Sequence, residues 1–237
     1  MKKSFFYVAA LMLGLAFTAT SCSNDDDNEV SAADIDYNSE NATSWHNYMK
    51  NVGRLLQTDA TNLQAAWTTG GYGDAFINHN GEFTTAKTCV QQIIEGCIDI
   101  AGEVGSQKIG DPVSKYKAGN IQEAIYAVES WYSWNSLDDY ENNIISIQNA
   151  YLGKRNNDYS TDATANSFSS VVKSLNPKLD ELLRAQIITT RRAIRNIPYP
   201  FSSNLDQKAA ITKAQKECAS LVDGLELAGR KIASAAE

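Results

Sequence analysis

The chain has 237 residues, 43% hydrophobic and 21% charged, with 21 Lys and Arg against 28 Asp and Glu for a net charge of −7. That acidic balance argues against nucleic acid or an anionic membrane surface as a partner, since either needs a basic patch. Only four prolines interrupt it, and its apolar residues recur at helical rather than strand spacing, so the chain reads as all-α.

Residues 1–21 read as a lipoprotein signal peptide. Lys2 and Lys3 form the positive start and Phe5 to Phe17 the apolar run, too short to remain as a membrane span. Ala19-Thr20-Ser21-Cys22 is lipobox-like, which makes Cys22 the expected acylation site and several acyl chains the expected anchor. The alternative is an ordinary cleaved signal with an incidental cysteine. Loss of Lys2 and Lys3 takes the net charge to −9. Residues 22–40 open on Ser-Asn-Asp-Asp-Asp-Asn-Glu after the cysteine and read as an acidic flexible tether. The folded domain is expected over 41–237.

The first helix is expected over 41–68, where Trp45, Tyr48, Met49, Val52, Leu55, Leu56, Leu63 and Trp67 recur three and four apart. A glycine-rich loop, 69–83, follows. The second helix spans about 84–105 with Val90, Ile93, Ile94, Cys97, Ile98 and Ala101 apolar, ending at Gly105. Gly110-Asp111-Pro112 reads as a turn. A shorter helix covers 120–131, and Trp131-Tyr132-Ser133-Trp134 marks a bend.

The helix over 136–152 is the most informative element. At about 100° per residue, Leu137, Tyr140, Ile144, Ile147 and Tyr151 form a core face, with Asn135, Asp139, Asn142, Ser146 and Asn149 opposite. Short amides, hydroxyls and carboxylates are mediocre helix formers. Such a stripe suits a polar seam or the wall of a binding cleft, or is simply a wet face. Ser136 is the expected N-cap and Gly153 the stop. Residues 154–166 read as polar and mobile. A long helix starts at Asn176-Pro177 and ends before Pro198, and the last covers 204–235. The architecture is an up-and-down helical bundle.

The pattern Ser133-x-Asn135-Ser136-x-x-Asp139-Tyr140-x-x-Asn143-Ile144-x-x-Ile147-x-Asn149-x-Tyr151-x-Gly153 resembles the signature in the C-terminal half of imelysin-like proteins. Glu95-Gly96-Cys97-Ile98-Asp99-Ile100-Ala101, Lys108-Ile109-Gly110-Asp111-Pro112 and Ile197-Pro198-Tyr199-Pro200-Phe201 extend the likeness from about residue 44 to the end. The resemblance implies one half of a two-repeat helical fold, an envelope location and a link to iron uptake. The acidic run after Cys22 also resembles a surface-export signal of Bacteroidetes-type lipoproteins, which implies the outer membrane. The family's hallmark Gly-x-His-x-x-Glu is absent. His46 has no Glu three residues on, and His79, with Glu82 at the right offset, has Ile77 in place of the glycine.

Several clusters admit chemistry. Glu95, Asp99 and Glu103 lie four apart on one helix face, where like charges repel and a hard cation would relieve them; a solvated face serves as well. Glu129 and Asp139 flank the bend as a conceivable acid and base, with no histidine placed beside a nucleophile. Trp131, Tyr132, Trp134, Tyr140 and Tyr151 are core aromatics or a ligand platform. Arg191, Arg192 and Arg195 form a basic patch expected to pair with the acidic surface. Cys89, Cys97 and Cys218 leave a disulfide to the last helix and free thiols equally open.

The expected function is a non-enzymatic binding component linked to iron or haem uptake, with Glu129, Ser133, Asn135, Asp139, Asn143 and Asn149 as the ligand face. A homodimer or a partner chain would complete its cleft. The alternatives are a metallopeptidase of the same class, and a truncated remnant that needs a partner half.

Overall fold

The computed structural model describes residues 38–68 and 70–235. The expected signal peptide, Cys22 and most of the tether lie outside the described residues. Two compact units form: one runs to Gln64, the other from Ala65 onward.

Helix α1, Ala42–Ala66, close to the expected helix, belongs to the first unit up to Gln64, and none of its residues is buried. In the second unit follow α2 (Tyr72–Asn78), α3 (Ala86–Glu103), a π-helical turn (Val104–Lys108), α4 (Gly110–Lys117), α5 (Ile121–Tyr126), α6 (Ser136–Leu152), α7 (Phe168–Leu175), α8 (Pro177–Arg195), a 3-10 turn (Phe201–Ser203) and α9 (Lys208–Ser234). No strand occurs among the described residues.

The long helices close a ring, with α3 on α9, α9 on α8, α8 on α6 and α6 back on α3. Each turns an apolar stripe inward. The core runs through Ile94, Ala101, Tyr140, Ile144, Ile147, Leu183, Ile187, Ile194, Cys218, Leu221 and Leu225. The three cysteines are free and buried, and burial pushes the thiols of Cys97 and Cys218 up to about 12. Only the thiolate reacts readily. Both should therefore resist a thiol reagent at pH 8 in the native chain and react at once in denaturant; prompt labelling of either in the folded protein would contradict this packing.

Four expectations on local structure need correction. The glycine-rich stretch 69–83 holds α2, whose Tyr72 and Phe76 join Trp67 and Phe83 in an aromatic cluster; ring packing outweighs the turn signals of its glycines. The second helix does not stop at Gly105 but passes through the π turn, and Gly110-Asp111-Pro112 opens α4 rather than a turn. Proline is tolerated there because a first-turn N–H has no intrahelical partner. Gly105 is required by proximity, since a Cβ on it would lie 2.7 Å from Cys218 Cβ. Ser136 is not the cap: Asn135 takes that position, and the Ser136 hydroxyl donates to the Glu129 carbonyl at 2.6 Å. Finally α7 lies ahead of the expected long helix, capped by the Ser167 side chain, while α8 starts at Asn176-Pro177 as expected, its Asn176 side chain accepting from Leu179 N.

Candidate functional site

The inward face of α6 is the expected one, with Leu137, Tyr140, Ile144, Ile147 and Tyr151 all buried. The opposite stripe is exposed or half-buried throughout, an open face rather than a seam between described helices. The polar seam is elsewhere on the same helix. Glu141 and Gln148, seven residues apart, are buried beside Arg191 of α8.

All five Arg191 donors are used. Nε and one terminal nitrogen reach Glu141 Oε1 at 3.1 and 2.8 Å, and the other terminal nitrogen reaches Gln148 Oε1 at 2.6 Å. Both terminal nitrogens also donate to segment 154–166, at the carbonyls of Asn157 and Asp158. Tyr159 donates to Glu141 and covers the guanidinium at 4.1 Å. Arg195 pairs with Asp138 and with Glu141 Oε2 at 2.6 Å. Arg191 is thus not a patch residue on the acidic surface but the centre of an internal ion pair. The segment expected to be mobile is pinned by it and by Gln148, which donates to the carbonyls of Asp158 and Ser160. A second buried carboxylate, Asp180, accepts from Tyr151 at 3.0 Å and Ser169 at 2.5 Å and lies 3.0 Å from Arg184 Nε. That ion pair is off-axis, so neither Asp180 Oδ2 nor Arg184 Nε has a directional hydrogen bond.

The N-terminal end of α6 gathers the exposed chemistry. The π turn presents Lys108 outward, 2.9 Å from Glu129, while its carbonyl accepts from Tyr140 Oη at 3.0 Å. Ser130, held at φ 55°, donates to Asp139 Oδ2 at 2.6 Å, and Ser133 donates to the Ser130 carbonyl at 3.2 Å. Burial, reinforced by the negative charge of Glu129, pushes the Tyr140 phenol up. Tyr132 and Trp134 stand 75% and 55% exposed beside this group, and Trp131 is half-buried. The aromatic cluster therefore divides: Tyr140 and Tyr151 are core, the other three line the exposed end.

Of the six ligand-face residues, Glu129, Ser133, Asn135 and Asp139 come together at this end. Asn143 and Asn149 lie about 6 and 15 Å farther along the axis at 1.5 Å per residue. The Asn149 side chain accepts from Asn156 N at 2.7 Å, binding the loop. Cavities of about 280 and 320 Å³ open elsewhere and contain none of the six. Glu95, Asp99 and Glu103 are exposed. His79 ends α2 at φ 51° with Cys89 Sγ 3.9 Å from its Nδ1. Among the described residues no three His, Cys, Asp or Glu side chains converge as a metal site.

Sequence reasoning misses Lys108 and Ser130 as site residues. For Glu141 and Gln148 the usable signal is position: with Leu137, Ile144 and Tyr151 they complete a four–three repeat facing the core.

The fold and the exposed carboxylate end define an α-helical bundle protein with a polar face beside surface aromatics. The chain belongs to the imelysin family, whose model matches residues 24–228. A crystal structure of an imelysin peptidase from Bacteroides ovatus is 47% identical with a TM-score of 0.77, over 83% of this chain and 56% of that one. A crystal structure of a putative iron-regulated protein A precursor from Parabacteroides distasonis is 35% identical with a TM-score of 0.73, over 78% of this chain and 56% of that one. Iron-regulated protein A of Synechococcus elongatus is 31% identical over 147 residues, which is 61% of this chain and 38% of that protein. The chain thus spans little more than half the length of these solved structures and less of the cyanobacterial relative.

Proposed function

We propose that this chain is a non-enzymatic binding component of imelysin type that serves iron or haem acquisition, held at the outer membrane by acylated Cys22. The supporting observation is that Glu129, paired with Lys108, and Asp139, held by the Ser130 hydroxyl, both stand at the exposed end of α6, in a chain similar to iron-regulated protein A. Carboxylate and hydroxyl oxygens suit hard cations, and the exposed Tyr132 and Trp134 suit a flat ligand. In this reading a second copy or a partner chain completes the open face of α6.

The test is tryptophan fluorescence titrated with ferrous iron, ferric iron and haem against a chelated control. Trp131 and Trp134 adjoin the carboxylates, so saturable quenching is expected. Asp139→Ala should weaken it about tenfold or more, the worth of one lost charged contact. An unchanged titration in Asp139→Ala and Glu129→Gln would remove this site from the reading.

A metallopeptidase is the second reading, favoured by the likeness to an imelysin peptidase. It predicts protein cleavage abolished by a chelator.

A further inference from the structure

Asp180 of α8 is wholly buried. Its Oδ1 is spent, accepting from Tyr151 of α6 and Ser169 of α7. Burial, then the charge of Asp180, pushes the Tyr151 phenol up, so that donor stays in place. Oδ2 lies 3.0 Å from Arg184 Nε, yet neither atom has a directional hydrogen bond. Two buried polar atoms left in that state carry a desolvation cost that a partner of the right kind would remove. Both residues line a cavity of about 320 Å³, walled otherwise by α7 and by residues 162–165. One ordered water, with a share of roughly 30 Å³, does not fill it. Its size suits a small organic molecule.

The charges around the cavity say which class of molecule. Asp162, Asp180, Lys173 and Arg184 all line it, two of each sign, so neither a bare anion nor a bare cation is matched. Arg184 Nη1 donates to the Thr161 carbonyl at 3.2 Å. That leaves the Nε–Nη2 edge, and a guanidinium edge grips a carboxylate through two parallel bonds. Oδ2 of Asp180 needs a donor, Nε of Arg184 needs an acceptor, and the two are only 3.0 Å apart. The ligand's donor and acceptor are therefore neighbours. We propose that this cavity binds a free α-amino acid, its carboxylate on Arg184 and Lys173 and its ammonium on Asp180 and Asp162. An ammonium and a carboxylate on one carbon stand side by side, as Oδ2 and Nε do. The cavity contains no residue of the carboxylate end of α6, so binding here is independent of whether iron binds.

The test melts the full-length chain in detergent with each common L-amino acid at millimolar concentration, then titrates the strongest by calorimetry. At least one should raise the melting temperature by about 3 °C or more and give saturable heat. The N-acetyl and amide derivatives of that amino acid each lack one charge, and γ-aminobutyrate holds its charges farther apart; each should bind about tenfold more weakly or worse. Lys173→Ala and Asp162→Asn change exposed residues. Each should weaken binding about tenfold while leaving the melt without ligand unchanged. No stabilisation by any amino acid, equal binding of acetate or methylammonium, or an affinity untouched by both substitutions would each overturn the proposal. The iron titration concerns residues outside this cavity, so the two ideas fail separately.

Discussion

Replacing Arg191 with methionine is expected to lower the free energy of unfolding by about 3–5 kcal/mol, the cost of stripping a buried charge of its partner. The side chain is 2% exposed and its partner Glu141 is 6% exposed. Without Arg191, Glu141 keeps Arg195 and the Tyr159 hydroxyl, but Gln148 Oε1 and the carbonyl of Asn157 lose their donor. Lysine should not rescue, because it offers three donors on a flexible stem where five in a plane are used. The double variant Arg191→Met with Glu141→Met should recover part of the loss, since the pair couples. Urea unfolding of the three variants measures this. A cost below about 1 kcal/mol for the single change, the range of an exposed pair, would mean that the pair is not desolvated.

Gly153→Ala should be nearly as damaging. Gly153 closes α6 at φ 70°, where an L side chain costs about 1–2 kcal/mol. A Cβ there would also stand 2.6 Å from Thr164 Oγ1 and 3.1 Å from the Ser167 backbone, adding about 1–3 kcal/mol of overpacking. For a chain of this size the two together lower the melting temperature by roughly 5–15 °C. A melt within a degree or two of the parent would show that Thr164 and Ser167 yield freely.

Most of the fold is legible in the amino-acid order, because long amphipathic helices announce themselves by period. The inward residues of α6 and the Asn176-Pro177 start of α8 are both visible in that way. The exceptions are places where tertiary contacts override local chemistry. Tyr72 and Phe76 make a helix of a glycine-rich stretch by packing on Trp67 and Phe83. Arg191 looks like its neighbours Arg192 and Arg195 in sequence, and only the packing of α8 on α6 shows that it points inward. The exposed end of α6 is partly legible: Glu129 and Asp139 stand out by their placement at the bend. Their partners Lys108 and Ser130 depend on a π turn and on a positive φ, neither of which composition announces.

The π turn itself acts as a phase shifter. From α3 through the π turn into α4 the residues of the hydrophobic core step 94, 97, 101, 104, 109 and 113; the five-residue step from 104 to 109 is one residue more than a regular helix would take. That extra residue leaves Lys108 outside, free to reach Glu129, while Ile109 and Val113 return to the core. Shortening this stretch by one residue would regularise the helix and rotate everything after it by about 100°, so that the core would keep its apolar contacts or the surface its lysine, but not both.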